Sequence, residues 1–216
     1  MKITKTLFGF LVLSIGLTVP AHAVPIFLQT SITGEISVLN DGSLIEANNL
    51  GARNNPVTIN GVLFGSDESA LSAGWTDGSG NFSNDNFNTD LEALLDELVY
   101  ASGFGSLGFT LDGLTIGNSY RLQLLFSNDK NSTGNDIFVS LLGSDFSLKN
   151  WQPNAVNLIV RFTAEAETLF VGFDGPNNQP GRAVLNGYAL HEVPEPSTLA
   201  ILALGLIGLG ARRFKK

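Results

Sequence analysis

Two tryptophans stand in polar segments of the chain, where a large aromatic side chain usually packs inward or contacts a ligand. Trp75 opens a segment rich in Gly, Asn, Ser and Asp that includes Asp77 and Asn81, and Trp151 lies in a second polar segment. Aromatic faces stack on sugar rings, and carboxylates and amides form hydrogen bonds with sugar hydroxyls. Trp75, Asp77, Asn81 and Trp151 are therefore candidate glycan-binding residues, with inward packing of each tryptophan as the alternative.

The same segment carries oxygen-bearing side chains at alternate positions, Asp77, Ser79 and Asn81. Ca²⁺ prefers such hard oxygen ligands in loops. An EF-hand would need a bidentate Glu at its twelfth position, where this sequence has Asn88, so the segment is not an EF-hand. Asp77, Ser79 and Asn81 are a candidate Ca²⁺ site, and an ordinary solvated loop is the alternative.

Catalytic chemistry finds little support in the sequence. Serine–histidine catalysis needs a His that moves protons, and after residue 23 the chain has only His191, on a predicted strand beside the C-terminal tail. Acidic residues are plentiful, but no two are singled out by their spacing as a glycosidase pair. We expect no enzymatic activity; a glycosidase or lyase is the least favoured alternative.

Composition excludes several further classes. The 216 residues have a net charge of -8, and 44% of them are hydrophobic, which suits one folded domain. A nucleic-acid-binding protein would need a basic surface. The absence of cysteine excludes disulfide scaffolds, thiolate metal sites and cysteine nucleophiles.

Short apolar segments separated by turn residues fill the body of the chain. Residues 56–64 contain Asn60-Gly61, a strong hairpin signal. Residues 120–126 alternate at period two, which is typical of a half-buried strand. Residues 26–39 should form two strands or one bulged strand, and residues 109–116 two strands around a turn at Asp112-Gly113; further strands are expected at 137–142, 156–162, 168–173 and 183–193. Turn signals about every ten residues predict an antiparallel β-sandwich or jelly roll.

One helix should interrupt these strands. Thr89 and Glu92 form a capping-box pattern, and Gly103 is placed to end the helix. Its leucines and one valine share a stripe at helical spacing: Leu91, Leu94, Leu95, Leu98 and Val99. We expect this short amphipathic helix to lie across one sheet with the stripe in the core.

Both ends of the chain have the composition of targeting segments. Residues 1–23 combine two lysines, an apolar stretch and Ala21-His22-Ala23, the pattern of a signal peptide that signal peptidase removes. An N-terminal anchor is the alternative, but about 20 apolar residues are needed to span a bilayer, and this stretch is shorter. Residues 24–193 then form the β-sandwich domain, with six basic residues against 19 acidic ones and a net charge of -13.

Residues 194–216 have three parts: Pro194-Glu195-Pro196, an apolar segment long enough for most of a transmembrane helix, and a basic end. This tail resembles the PEP-CTERM sorting domain of Gram-negative bacteria. The resemblance implies export, transient anchoring in the inner membrane, recognition by an exosortase and release to the cell surface or the extracellular biofilm matrix. A plain C-terminal transmembrane helix is the alternative.

The second half of the body also resembles a known fold. Residues 111–126, the strand ending at Phe173 and residues 185–190 are similar to the closing half of galactose-binding-like jelly-roll domains, which include many carbohydrate-binding modules. This resemblance implies an all-β sandwich. With the tail, it leads us to expect a surface or matrix protein that binds glycan or exopolysaccharide; the alternative is a structural matrix protein whose acidic loops are stabilised by Ca²⁺.

Overall fold

A computed structural model of the chain describes residues 24–51, 55–78, 89–101, 107–127, 136–149, 155–174 and 183–194. Within these ranges the chain forms one α-helix, one 3-10 turn at Glu35–Ser37, and strands that are all short. The helix is α1 (Thr89–Leu95), and the strands are β1 (Ile26–Ser31), β2 (Ser43–Asn49), β3 (Val57–Ile59), β4 (Val62–Phe64), β5 (Trp75–Gly78), β6 (Leu98–Ala101), β7 (Leu107–Leu111), β8 (Ser119–Phe126), β9 (Ile137–Leu141), β10 (Ser144–Leu148), β11 (Val156–Thr163), β12 (Leu169–Asp174), β13 (Val184–Leu185) and β14 (Gly187–Glu192).

Two antiparallel sheets make the sandwich. The larger has the order β1-β11-β8-β14-β2, and the smaller has the order β10-β9-β12-β7. A three-stranded sheet, β13-β6-β5, and the β3–β4 hairpin complete the described structure. The predicted all-β sandwich with one helix is confirmed.

Strand β8 shows why the sheets pack as they do. Tyr120, Leu122, Leu124 and Phe126 alternate along it and enter one large apolar core, together with side chains of the smaller sheet such as Val139 and Val171. Successive side chains of a strand point to opposite faces, so these four residues share the inner face. The period-two pattern in the sequence is therefore the inner face of the larger sheet.

The outer face of the larger sheet is covered as well. Leu91, Leu94 and Leu95 of α1 form a second core with residues of the β3–β4 hairpin and with Leu125 and Ala189. The helix thus lies across the sheet with its leucines buried, as the sequence predicts. The Asn60-Gly61 hairpin is confirmed too: both residues have positive φ, 48° and 80°, as a tight two-residue turn requires.

Farther along the outer face, the segment around the 3-10 turn is held by polar side chains of the sheet. The carbonyl of Ser37 accepts hydrogen bonds from the amides of Gln123, at 2.7 Å, and Asn157, at 3.1 Å. The Gln123 Oε1 accepts from the backbone N–H of Leu39 at 3.0 Å. Because buried amides need partners, these bonds fix the course of residues 37–39 over the sheet.

The predicted length of the helix is wrong. The chain turns at residue 96, and Leu98 and Val99, expected on the helical stripe, belong to β6. Strand β6 pairs with β5 on one side and with β13 on the other, so its backbone groups are satisfied by long-range ladders. Both residues are still core residues. The pattern predicted their burial correctly but not their backbone conformation.

Several expectations concern residues outside the described ranges: the signal peptide, Glu195 and Pro196, the apolar tail segment and the expected helix end at Gly103. In the described part of the chain, no helix is long and apolar enough to cross a membrane.

One buried side chain ties the elements together. Asn186, fully buried between β13 and β14, accepts a hydrogen bond from Ser127 N at 2.6 Å through Oδ1. Its Nδ2 donates to the carbonyls of Leu95, at 2.8 Å, and Glu97, at 2.7 Å. The end of α1 and the start of β6 are therefore attached to the larger sheet by one amide.

We expect Asn186→Ala to lower the free energy of unfolding by about 3 kcal/mol or more, because three buried backbone groups lose their partner and a cavity forms. Urea denaturation measures this change. The matched control is Asn40→Ala, which removes one exposed bond from Asn40 Nδ2 to the Asn60 carbonyl and should cost less than about 1 kcal/mol. Equal losses in the two variants would contradict this account of Asn186.

Candidate functional site

Trp75 lies in β5 and is half-buried against the inner core. Its Nε1–H donates to the carbonyl of Gly108 at 3.0 Å, and its ring meets Phe173 edge-on at 5.6 Å between centroids. The structure thus gives Trp75 the inward-packing contacts that the sequence left open, with part of the ring still accessible. Asp77, two residues on, is exposed.

The other residues predicted for glycan or Ca²⁺ binding, Ser79, Asn81 and Trp151, lie outside the described ranges. Whether they approach Trp75 and Asp77 stays a prediction. Within the described residues, no group of three or more His, Cys, Asp or Glu side chains is arranged to hold a metal ion.

The aromatic contacts of Trp75 continue to a buried polar cluster. Phe173 stacks on Phe109, which stacks on Tyr188 at 4.4 Å between centroids. The Tyr188 hydroxyl donates to Glu46 Oε1, and Asn48 Nδ2 donates to that same carboxylate at 2.7 Å. Burial, and then the adjacent Glu46 carboxylate, raise the pKa of Tyr188. The hydroxyl therefore stays protonated and acts as a structural donor.

A second set of polar residues lines an open cavity that we call the acidic pocket. It has a volume of about 320 Å³ and lies between the end of β2, residues 55–57 and α1. Its lining consists of three carboxylates, two amides and two small apolar side chains: Glu92, Asp96, Glu97, Asn49, Asn55, Val57 and Ala93. Such a set mainly accepts hydrogen bonds, as the hydroxyls of a sugar require.

Asn49 is the buried floor residue of the acidic pocket, with 2% of its surface exposed. Its Nδ2 donates to the Asn55 carbonyl at 2.9 Å, whereas its Oδ1 has no hydrogen-bond partner among the described residues. Most buried polar atoms are satisfied, so an orphaned acceptor at a cavity is a place where a ligand or water donor would bind.

Gly51 fixes the wall beside Asn49. Its φ of +110° is a conformation that other residues rarely adopt, and a Cβ there would come within 2.6 Å of the backbone N of Leu98. The Gly51 N–H also donates to Glu68 Oε1 at 2.9 Å. The end of β2 can therefore approach β6 closely only because residue 51 has no side chain.

At the other end of the larger sheet lies another cavity, of about 310 Å³, which we call the cationic pocket. The ends of β1, β8, β11 and β14 form it, and Val24, Arg121, Arg161, Val193 and Pro194 are among the residues that line it. Arg121 and Arg161 are register partners on β8 and β11. Asp41 also lines the pocket and pairs with Arg121, so the positive charge that has no ion-pair partner among the described residues is that of Arg161.

Arg121 is 3% exposed, and its guanidinium bonds to the Asp41 carboxylate at 2.5 Å and to the Asp41 carbonyl. The hydrogen bond from Arg121 lowers the pKa of Asp41. His191 is the register partner of Arg121 on β14 and is buried, and its Nδ1 has no hydrogen-bond partner within the described residues. Burial, and then Arg121, lower the pKa of His191, so that folding favours the neutral imidazole.

The sequence did not reveal either pocket. Glu92 is distinguished in the sequence only by the capping-box pattern, nothing there distinguishes Asp96 or Glu97, and Asn49 stands about forty residues earlier in the chain. Their convergence depends on long-range pairing, which no local spacing reports. Arg121 lies in a mainly apolar strand, and its charge is the only feature of the sequence that distinguishes it.

The fold and the tail together define an exported β-sandwich protein with a C-terminal sorting signal. Residues 192–215 match the PEP-CTERM protein-sorting motif, which confirms the resemblance found in Pro194, Glu195 and Pro196. The motif implies export, membrane anchoring before cleavage and processing by an exosortase. It covers the tail alone. No curated protein sequence matches the chain.

Solved structures similar to the chain share its β-rich fold. The ANXUR1 extracellular domain from Arabidopsis thaliana has a TM-score of 0.56 and 12% identity, over 70% of this chain and 49% of that one. The ANX2 ectodomain from the same plant has a TM-score of 0.56 and 10% identity, over 70% and 50%. A calcium binding mutant of Bacteroides uniformis beta-glucuronidase 2 has a TM-score of 0.54 and 20% identity, over 69% and 18%.

The chain spans about half the length of the two plant ectodomains. At these identities the likeness shows the fold alone, and it is consistent with the galactose-binding-like sandwich that the second half of the body resembles.

We expect Trp75→Ala to lower the free energy of unfolding by about 3 kcal/mol, because it empties the space beside Phe173. Trp75→Phe should cost about 1 kcal/mol, chiefly through the lost bond to the Gly108 carbonyl. Urea denaturation measures both. If Trp75 were instead mainly a sugar platform, Trp75→Ala would leave stability almost unchanged and remove glycan binding.

The lowered pKa of His191 makes stability depend on pH in a definite direction. The unfolded chain binds a proton at His191 more readily than the folded one, so the free energy of unfolding should fall as the pH drops below about 6.5. The slope from this group can reach about 1.4 kcal/mol per pH unit. Denaturation at pH 7.5, 6.5 and 5.5 should show a smaller slope for His191→Gln; an unchanged slope would disprove the assignment to His191.

Proposed function

We propose that this protein is an exported, exosortase-processed surface or matrix protein whose non-catalytic sandwich domain binds a neutral glycan in the acidic pocket. The observation that carries the proposal is the pocket's lining: three carboxylates and a buried amide acceptor, the Oδ1 of Asn49, surround a cavity of about 320 Å³. The sorting motif supports the location, and the sandwich fold supports a binding role without assigning one.

The lining matches the chemistry of a sugar. Carboxylates accept hydrogen bonds from hydroxyl groups, and charge-assisted bonds of this kind are the stronger ones. Val57 and Ala93 offer a small apolar contact for the C–H face of a ring. The volume lies at the lower end of the range for ligand pockets, about 300–1,000 Å³, so a single terminal or side-branch sugar fits better than a long segment.

Charge favours a neutral ligand. The body has a net charge of -13, and three of its 19 acidic residues line the acidic pocket. A uronic-acid polymer would be repelled by this field, whereas a neutral exopolysaccharide would not. The expected setting is the cell surface or biofilm matrix of a Gram-negative bacterium, where the sorting tail would deliver the domain.

The candidate residues predicted from the sequence belong to hypotheses separate from this proposed site. Trp75, Asp77, Asn81 and Trp151 remain a hypothetical second contact surface, and Ca²⁺ binding by Asp77, Ser79 and Asn81 remains untested. Trp75 and Asp77, the members of these groups that the structure describes, do not line the acidic pocket, so variants of these two residues can distinguish the sites.

The test is the binding of the full chain to neutral polysaccharides (dextran, laminarin, galactan) and to alginate as an acidic one. We expect retention on a neutral polymer, and Asp96→Asn should weaken it about tenfold or more, because a hydrogen bond to a charged group contributes about 1.5–3 kcal/mol. Ala93→Phe, which fills the pocket from an exposed position on α1, should have a similar effect.

The matched control is Asp90→Asn, which removes the same charge from an exposed position of α1 outside the pocket lining. It should change binding less than twofold. Retention of the same polymer by Asp96→Asn and Ala93→Phe would overturn the proposed site, and no retention on any neutral polymer would overturn the function. Loss of binding on adding a chelator would favour the Ca²⁺ loop instead.

A further inference from the structure

The sorting tail leaves the body at the cationic pocket. Val193 and Pro194 line this pocket, and the next residue in the chain is Glu195, the central residue of Pro-Glu-Pro. Consecutive Cα atoms are about 3.8 Å apart, so the Cα of Glu195 lies within one residue's length of the pocket wall. Its carboxylate is therefore within reach of the pocket.

The pocket has the charge to receive this carboxylate. Arg161 is exposed at its rim and forms no ion pair with a described residue, whereas Asp41, which also lines the pocket, pairs with Arg121. The buried Nε of Arg121 also has no hydrogen-bond partner in the described part of the chain. Removal of the signal peptide after Ala23 would add a further cation, the α-amino group of Val24.

We propose that the cationic pocket binds the Glu195 carboxylate, so that the folded body holds the Pro-Glu-Pro element of its own sorting tail and competes with the exosortase for it. The two prolines limit the backbone around Glu195 to extended conformations, which reduces the entropy that docking removes. An enzyme that recognises Pro-Glu-Pro must then displace Glu195 from Arg161. The proposal is independent of glycan binding, because neither Arg121 nor Arg161 lines the acidic pocket.

The first test detects the contact directly in the full chain. Arg161→Lys keeps the positive charge and supplies an amine, which a carbodiimide joins to a carboxylate in direct contact by an amide bond, with loss of water. We expect peptide mapping to find position 161 joined to Glu195. The control, Thr30→Lys, places an amine at an exposed position on β1 four residues from Ile26, the register partner of Arg161. No cross-link at position 161, or an equal yield from position 30, would overturn the proposal.

The second test measures the consequence in membranes that contain an exosortase. Arg161→Gln should release Glu195 and speed tail removal about two- to fivefold, the range expected for an exposed ion pair. The control is Lys149→Gln, which removes an exposed cation that pairs with Asp136 and does not line the cationic pocket. A rate for Arg161→Gln equal to or below that of Lys149→Gln would overturn the competition.

Discussion

Strand β8 is covered on both faces, and the rest of the architecture follows from that constraint. Its inner side chains need the smaller sheet, and its outer side chains need the helix, the hairpin and the segment around the 3-10 turn. The outer face is not purely apolar, because Arg121 and Gln123 stand on it beside Leu125. Each polar side chain must find a partner there, and the partners are the backbone groups of the covering segment, such as the carbonyls of Ser37 and Asp41.

This covering layer also creates the two pockets. Helix α1 packs its leucines on the sheet, so Glu92 of the helix and Asp96 and Glu97 of the turn that follows it lie beside the end of β2 and line the acidic pocket. At the opposite end, the covering segment reaches Asp41 and leaves Arg161 exposed. The two pockets lie at the edges of this covering layer, where it no longer covers the larger sheet. They are therefore consequences of how far it extends over the sheet.

Local patterns predicted what depends on neighbours in sequence. The Asn60-Gly61 turn, the alternation in β8 and the burial of the helical leucines were all recognisable, since each reflects backbone preferences or periodicity over a few residues. The sorting tail was predictable to within two residues, 194–216 against the matched 192–215, because it is a linear sequence signal. The helical conformation predicted for Leu98 and Val99 was wrong, because spacing at i, i+3 and i+4 cannot distinguish the end of a helix from a buried strand that follows a turn.

The acidic pocket could not be predicted from the sequence for a different reason. Asn49 and Glu92 meet only after β2 pairs with β14 and α1 docks on the sheet, and neither residue has a distinctive neighbour. Trp75 was recognisable as an unusual residue, but its contacts with the Gly108 carbonyl and Phe173 depend on the pairing of β7 and β12. The sequence identifies such unusual residues, but their contacts become known only from the long-range pairing of the strands.

The two pockets occupy opposite ends of β14, whose five residue steps cover about 17 Å. Both termini of the body, Val24 and Val193, lie at the end away from Asn49. A copy tethered by its tail thus points the acidic pocket away from its point of attachment. If the acidic pocket binds glycan as proposed, many tethered copies hold one polymer at several places, with an avidity far above that of a single pocket. Cleavage of the tail would end that multivalent grip, so the same domain would anchor a polymer before processing and exchange between polymers after it.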